Sequence, residues 1–268
     1  MADILDAKSM IETAHALADA AREVILPYFR SPGLSADNKH AAGFDPVTEA
    51  DRAAEQAMRA ILAERRPNDT IVGEEFGTTQ GSSGLSWVID PIDGTRGFMS
   101  GTPTWGVLIA VSDDSGPIYG LIDQPYTGER FEGGFGLSRM TGPHGPVDLV
   151  ARPDRPLSES ILFTTFPEVG TPAEMKGFQQ VASQARLTRY GMDCYAYALV
   201  AAGQVDLVIE AGLSNYDIQA PIAVIEAAGG IVTDWQGGPA HQGGRVLAAA
   251  SKQQHEEALE ILSRVPLD

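Results

Sequence analysis

The chain has 268 residues, enough for one large domain or two closely packed halves around a sizeable core. Its formal charge of −17 at pH 7 argues against a nucleic-acid or anionic-membrane partner, either of which needs a basic face. Hydrophobic content of 43% with 29 glycines and 17 prolines excludes disordered and fibrous classes, and the single cysteine, Cys194, excludes an intramolecular disulfide and fits a reducing compartment.

In chain order, Ile11, Ala14, Leu17, Ala18, Ala21, Val24, Ile25 and Phe29 recur at helical spacing and predict a long first helix stopping near Pro27. A loop rich in Gly, Ser, Asn and Asp follows over 31–47, and a second helix over 48–64. Short strands are expected at 71–72, 85–90, 105–111, 118–123 and 130–132, with Asp113-Asp114-Ser115-Gly116-Pro117 as a hairpin turn. The first half, 1–155, is therefore expected to be two helices on a largely antiparallel sheet. Beyond 156 the pattern alternates: strand 161–163, helix 173–184, a small-residue helix 194–202, strand 205–209, helix 217–228, strands 231–233 and 246–249, and a last helix 253–262. That alternation predicts an α/β half, 156–268, with sheet between helices, the two halves forming one structural unit. No apolar run approaches the ~20 residues that span a bilayer. The start, Met1-Ala2-Asp3-Ile4-Leu5-Asp6, lacks the regions of a signal peptide, so a cytoplasmic location is expected.

The most informative motif is Asp90-Pro91-Ile92-Asp93-Gly94-Thr95, where two carboxylates follow the apolar run Leu85, Trp87, Val88 and Ile89. Pro91 and Gly94 force a turn there, and open α/β sheets bind ligands beyond the carboxyl ends of their strands. The pair reads either as oxygen ligands for a hard cation such as Mg²⁺ or as an Asx-turn ending the strand. Gly73-Glu74-Glu75 repeats the pattern after the strand at 71–72. In Asp45-Pro46-Val47-Thr48-Glu49-Ala50-Asp51, Thr48 and Asp51 resemble a capping box, and Asp51 is also placed to orient water. Tyr216-Asp217 opens a helix, where Asp217 can be an N-cap, and Glu210 ends the strand seven residues earlier. Lys39 in the early loop either approaches a metal or phosphate or is solvated. The five histidines lack zinc spacing, and no Gly-rich nucleotide loop is present.

Taken together, these segments resemble the inositol monophosphatase family of Mg²⁺-dependent, lithium-sensitive phosphatases. The likeness rests on Gly73-Glu74-Glu75, on Trp87-Val88-Ile89-Asp90-Pro91-Ile92-Asp93-Gly94-Thr95, on Tyr216-Asp217-Ile218-Gln219-Ala220 with Glu226-Ala227-Ala228-Gly229-Gly230, and on the 45–51 stretch. Within the family the chain is more similar to bacterial histidinol-phosphate phosphatases, through Arg96-Gly97-Phe98, Ile122-Asp123-Gln124-Pro125 and the 189–197 stretch. Tyr216 stands where the family usually has Trp, and Asp193 where inositol phosphatases carry a small residue.

The resemblance implies a layered α-β-α-β-α sandwich and a homodimer. It implies two or three Mg²⁺ per site: Glu74, Asp90 and the Ile92 carbonyl would hold one, and Asp90, Asp93 and Asp217 a second. Glu74 and Asp93 would serve catalysis through the metal, and Thr95, backed by Asp51, would position the attacking water. The backbone N–H groups of Gly94 and Thr95 would face the phosphate, with Asp93 and Asp217 beside it. Gly191, Asp193 and Glu210 would surround the leaving group, the two acids as hooks for a cation, with a helix N-cap as the other reading of Asp193. The expected reaction is hydrolysis of L-histidinol phosphate, a step of histidine biosynthesis. Inositol monophosphate or another small phosphomonoester is the alternative. A non-catalytic scaffold would have no need of Asp51, Glu74, Asp90, Asp93 and Asp217 together.

Overall fold

Alternation along the strands sorts the side chains of two sheets into three cores. The computed structural model describes residues 4–32, 36–38 and 46–266; Lys39 and Asp45 lie outside them. Helix α1 (Ile4–Ile25) precedes a two-stranded ribbon of β1 (Ala36–Asn38) and β2 (Pro46–Thr48), and α2 (Glu49–Arg65) follows. Strands β3 (Thr70–Gly73), β4 (Gly77–Thr79), β5 (Ser86–Asp93), β6 (Gly106–Asp113), β7 (Gly116–Gln124), β8 (Glu129–Gly134), β9 (Leu137–Thr141) and β10 (Val147–Asp148) form one eight-stranded sheet, with the short helix α3 (Thr95–Ser100) after β5. Its order is β10-β9-β8-β7-β6-β5-β3-β4, antiparallel except where β3 runs parallel to β5.

A second, mixed sheet has the order β12-β11-β13-β15-β14. It comprises β11 (Ile161–Thr164), β12 (Leu187–Tyr190), β13 (Leu207–Leu213), β14 (Ile231–Thr233) and β15 (Gly244–Ala249). Helices α4 (Pro172–Ala182), α5 (Asp193–Ala201), α6 (Asn215–Ala227) and α7 (Lys252–Leu262) interleave with them.

On β5, Trp87 and Ile89 face α1 and α2, joining Leu17, Ala21, Met58 and Leu62, while Val88 faces the opposite way into a core with α5 and α6. On β13, Val208 enters that same middle core, and Leu207 and Ile209 point outward to Phe178 of α4 and Leu262 of α7. Period-two alternation thus makes β5 and β13 two-faced and apolar on both sides, which is why each reads as a continuous apolar run. The result is the expected α-β-α-β-α layering. Among the described residues no helix is long and apolar enough to cross a membrane.

Several elements differ from expectation. Strands β1 and β2, within the stretch expected to be a loop, and β4, β9, β10 and β12 were not anticipated; β4 is exposed along its length and β12 nearly so. These last two are edges held by backbone pairing rather than burial, and so carry little apolar signal. Strand β13 starts at Leu207 and runs through Glu210 to Leu213, so Glu210 lies inside a strand rather than at its end.

A buried polar stripe ties α1 to the large sheet. Arg22 and Arg130 both donate to Asp123, at 2.7 and 2.8 Å, and Arg130 also reaches Asp19 and His15 Nδ1. Since Arg can only donate, His15 Nδ1 accepts and Nε2 carries its proton toward Glu132. Burial pushes the Glu132 carboxyl up, but hydrogen bonds from His15, Arg139 and Tyr119 outweigh it and lower it to about 2. A lowered folded pKa gives stability that is present above the unfolded value of about 4.3 and is lost as pH falls toward the folded one. Glu132→Gln is accordingly expected to cost about 1–3 kcal/mol at pH 7, from its charged hydrogen bonds. The difference from wild type should narrow between pH 4.5 and 2 in urea titrations; a pH-independent difference would show that the charge is not what stabilises.

Candidate functional site

Asp90 and Asp93 are three residues apart and would face opposite sides of a regular strand. They do not, because β5 bulges. Asp90 pairs with Leu108 and Asp93 with Gly106, so three steps on β5 match two on β6. The extra residue reverses the phase of alternation. Pro91, which has no N–H to give to a ladder, sits within the bulge. The strand therefore continues through Asp93 rather than stopping at Asp90 as expected. Asp90 Oδ1 also accepts the Ile92 N–H at 3.0 Å, so the Asx-turn exists alongside the acidic pair.

Helix α6 brings the third acid. Its N-cap is Ser214, and Asp217 is the N3 residue of a capping box, accepting the Ser214 N–H at 2.6 Å, which corrects the reading of Asp217 as N-cap. Asp90, Asp93 and Asp217 each present an oxygen, and these lie within 4.8 Å of one another. Glu74 follows β3, which lies parallel to β5 with Gly73 opposite Ile89, so it emerges beside Asp90 and hydrogen-bonds to its carboxyl.

Burial, and then the charges of Glu74, Asp93 and Asp217, hold the Asp90 carboxyl well above the usual range. Asp93 is raised by burial and by Asp217 and Asp193, although the Cys194 N–H, 2.6 Å from its Oδ2, opposes this. Such crowding disfavours full ionisation unless a cation is present. The all-oxygen donor set suits a hard divalent cation such as Mg²⁺, and carboxylate oxygens from three separate positions converge on one small volume.

The acids floor a cleft of about 310 Å³. Gly94, Thr95, Arg96, Thr165, Phe166, Glu168, Tyr197 and Glu210 line it with them. Gly94 is left-handed at φ +85°, and a Cβ there would lie 2.6 Å from Asp193 Cγ, so no side chain fits the turn. Thr95 Oγ1 donates to the Ile92 carbonyl at 3.2 Å, which keeps a second lone pair on that oxygen.

Asp193 lies in the same cleft but is not an N-cap. Met192 holds that position, and Asp193 is the first helical residue of α5, at φ +47°. Its Oδ2 accepts from Thr104 Oγ1 at 2.9 Å. Burial raises its pKa, against the pull of Thr104 and the Arg96 charge.

Glu210 is also raised by burial, and accepts from the Thr165 N–H, the Thr165 hydroxyl and the Tyr197 hydroxyl at 2.9, 2.5 and 2.9 Å. Gly191 stands outside the cleft walls, in a turn whose N–H reaches the Thr164 and Thr165 carbonyls.

Asp51 is likewise outside the walls, near enough to Glu74 for the two charges to act on each other. Its Oδ2 accepts the Thr48 N–H and hydroxyl in the expected capping box, while buried Oδ1 has no hydrogen-bond partner among the described residues. Burial, with the Glu74 charge adding to it, raises its pKa to about 6.

Sequence reasoning did not find Thr165, Phe166, Glu168, Tyr197 or Thr104. Arg96 stacks over the Phe166 ring at 4.8 Å, a contact between residues 70 positions apart that no local pattern announces.

The sequence profile of the inositol monophosphatase family matches residues 6–267. The chain is 42% identical to a chloroplastic bifunctional phosphatase, IMPL2, of Arabidopsis thaliana, covering 92% of this chain and 73% of that one. It is 34% identical to a histidinol-phosphatase of Streptomyces coelicolor, covering 98% and 99% respectively. Among solved structures, an inositol monophosphatase from Zymomonas mobilis superposes with a TM-score of 0.84 at 40% identity, covering 96% of this chain and 98% of that one.

Proposed function

The chain belongs to the inositol monophosphatase family, and from that premise we propose that it hydrolyses L-histidinol phosphate to L-histidinol and phosphate in a Mg²⁺-dependent reaction. That it is a phosphatase of this family follows from the match over almost the whole chain. The observation that carries the metal assignment is the gathering of Asp90, Asp93 and Asp217 oxygens within 4.8 Å. Glu74, Asp90 and the Ile92 carbonyl would hold one Mg²⁺, and Asp90, Asp93 and Asp217 a second. When bound, the ions supply an activated water and neutralise charge on the phosphoryl oxygens. Gly94 and Thr95 turn their backbone N–H groups toward the phosphate. Thr95 orients the attacking water, and Asp51, with a pKa near 6, is suited to take up a proton near neutral pH.

For the leaving group, support comes from the half-buried Asp193 carboxylate lining the cleft and the end-to-end likeness to a histidinol-phosphatase. Histidinol carries an ammonium and an imidazole, and a desolvated carboxylate favours such a cation over a neutral polyol. Glu210 already accepts three hydrogen bonds, so it would contribute chiefly its charge. The second reading, an inositol monophosphate, is favoured by the likeness to the Zymomonas mobilis enzyme. A homodimer, a cytoplasmic location and a division into halves near residue 155 belong to the same proposal.

Phosphate release at fixed Mg²⁺ is expected to be faster with histidinol phosphate than with inositol phosphate; the reverse order overturns the substrate assignment. Asp193→Asn should raise KM for histidinol phosphate about tenfold, equivalent to ~1.4 kcal/mol, and leave KM for inositol phosphate nearly unchanged. Equal changes for both substrates would assign Asp193 to positioning the Gly94 turn instead.

A further inference from the structure

Glu55 is fully buried on α2, one helical turn beyond Asp51, and belongs to neither the cleft nor the acidic cluster. Its carboxylate is spent on the turn that carries Glu74. Oε2 accepts the Glu75 N–H at 2.7 Å, and Oε1 accepts the Phe76 N–H at 3.2 Å. Arg59, four residues on, donates Nε to Oε1 at 2.7 Å and reaches across to the Gly77 carbonyl and, at 3.0 Å, the Thr79 hydroxyl. Gly73 completes the arrangement from the other side of Glu74. A Cβ there would fall on the Glu55 carboxylate and lie 2.8 Å from Arg59 Nη2, so only glycine lets the two approach.

The turn joins β3 to its exposed edge partner β4; within it Glu75 is half-buried and Phe76 exposed. Apolar packing therefore does little to set its conformation. Two backbone donors bound by one buried, charge-paired carboxylate do set it, because charge-assisted hydrogen bonds in a dry site are strong and directional. Glu74 sits between Gly73, pressed against Glu55, and the Glu75 N–H bonded to it, so its position beside Asp90 depends on this anchor.

We infer that Glu55 is a positioning residue for the metal site: it holds the 73–76 turn so that Glu74 reaches the acidic centre, with Arg59 locking the Glu55 carboxylate in place. The inference rests on the reading of Glu74 as a metal ligand. Groups that orient ligands from behind commonly change metal affinity by 10–100-fold when removed.

The test is Mn²⁺ binding alone, by calorimetry at 15 °C on protein shown to be folded by circular dichroism. Glu55→Gln leaves an amide N–H₂ facing a backbone donor and is expected to weaken Mn²⁺ binding about tenfold or more. It should raise the Mg²⁺ concentration for half-activation by a similar factor, and leave substrate KM at saturating Mg²⁺ near wild type. A purely structural role would lower thermal stability without moving the affinity of the folded protein. Arg59→Lys, which loosens Glu55 without removing it, is expected to weaken Mn²⁺ binding about threefold, and it decides the question alone if Glu55→Gln does not fold. Wild-type affinity in the folded variants overturns the inference. Glu74→Gln separates the two levels. If it weakens binding while the Glu55 and Arg59 variants do not, the positioning role fails. If Glu74→Gln itself binds Mn²⁺ normally, the reading of Glu74 as a ligand fails and takes the inference with it.

Discussion

Asp93→Asn is expected to lower turnover about a thousandfold, ~4 kcal/mol of transition-state stabilisation, while the protein folds as before. The substitution is isosteric, and the amide oxygen can still accept the Cys194 N–H that now lies 2.6 Å from Asp93 Oδ2. What disappears is one negative charge among oxygens packed within 4.8 Å. Because Asp217 and Asp193 repel that charge in the folded protein, its removal relieves the folded state. The metal-free variant should therefore melt at or above the wild-type temperature, and lose the added stability that a cation gives wild type. This pairing of dead enzyme and sturdier fold separates a ligand from a scaffold residue. A variant with wild-type rates, or one that unfolds, would remove Asp93 from the proposed centre.

Mg²⁺ should stabilise the protein, and increasingly so as pH rises. Asp90 and Asp93 have folded-state pKa values above those of the unfolded chain, through burial first and neighbouring charge second. For a raised group the stabilising contribution is complete below the unfolded pKa, near 4, and is lost as pH climbs through the folded value. The metal-free protein thus becomes less stable toward neutral pH at these positions. A cation competes with the protons, so its binding should release them and its benefit should grow from pH 5 to 8. With free Mg²⁺ at a hundred times its Kd the gain is about 2.7 kcal/mol, and at roughly 2–4 °C per kcal/mol for a chain of this size the melting point rises by about 5–10 °C. Thermal melts with Mg²⁺ and with EDTA across that range measure it. A shift that is absent, or larger at pH 5 than at pH 8, would contradict the crowded-carboxylate description.

Much of the scaffold was legible in local sequence. Trp87, Val88 and Ile89 are apolar in succession because β5 is buried on both faces, and the 113–117 turn marks the β6–β7 hairpin. The Thr48–Asp51 capping box is a four-residue interaction, so its spacing alone announced it. The acids of the centre lie near recognisable local breaks, a Gly after a strand, a Pro-Gly turn or a helix start, but those breaks fit turns and caps equally well, and it was the resemblance to the inositol monophosphatase family that singled the acids out.

What the chain's letters could not decide is how those breaks meet. The β5 bulge that turns Asp90 and Asp93 to one side depends on pairing with β6. Asp193 reaches Gly94 and Thr104 from about ninety to a hundred positions away, and Glu210 is occupied by Thr165 and Tyr197. The edge strands β4 and β12 are shaped by neighbours' backbones rather than by their own apolar content. Local propensity and burial period act over a few residues and leave a trace in sequence. Hydrogen bonds and charges between distant segments act through space, and only the folded arrangement sets those distances.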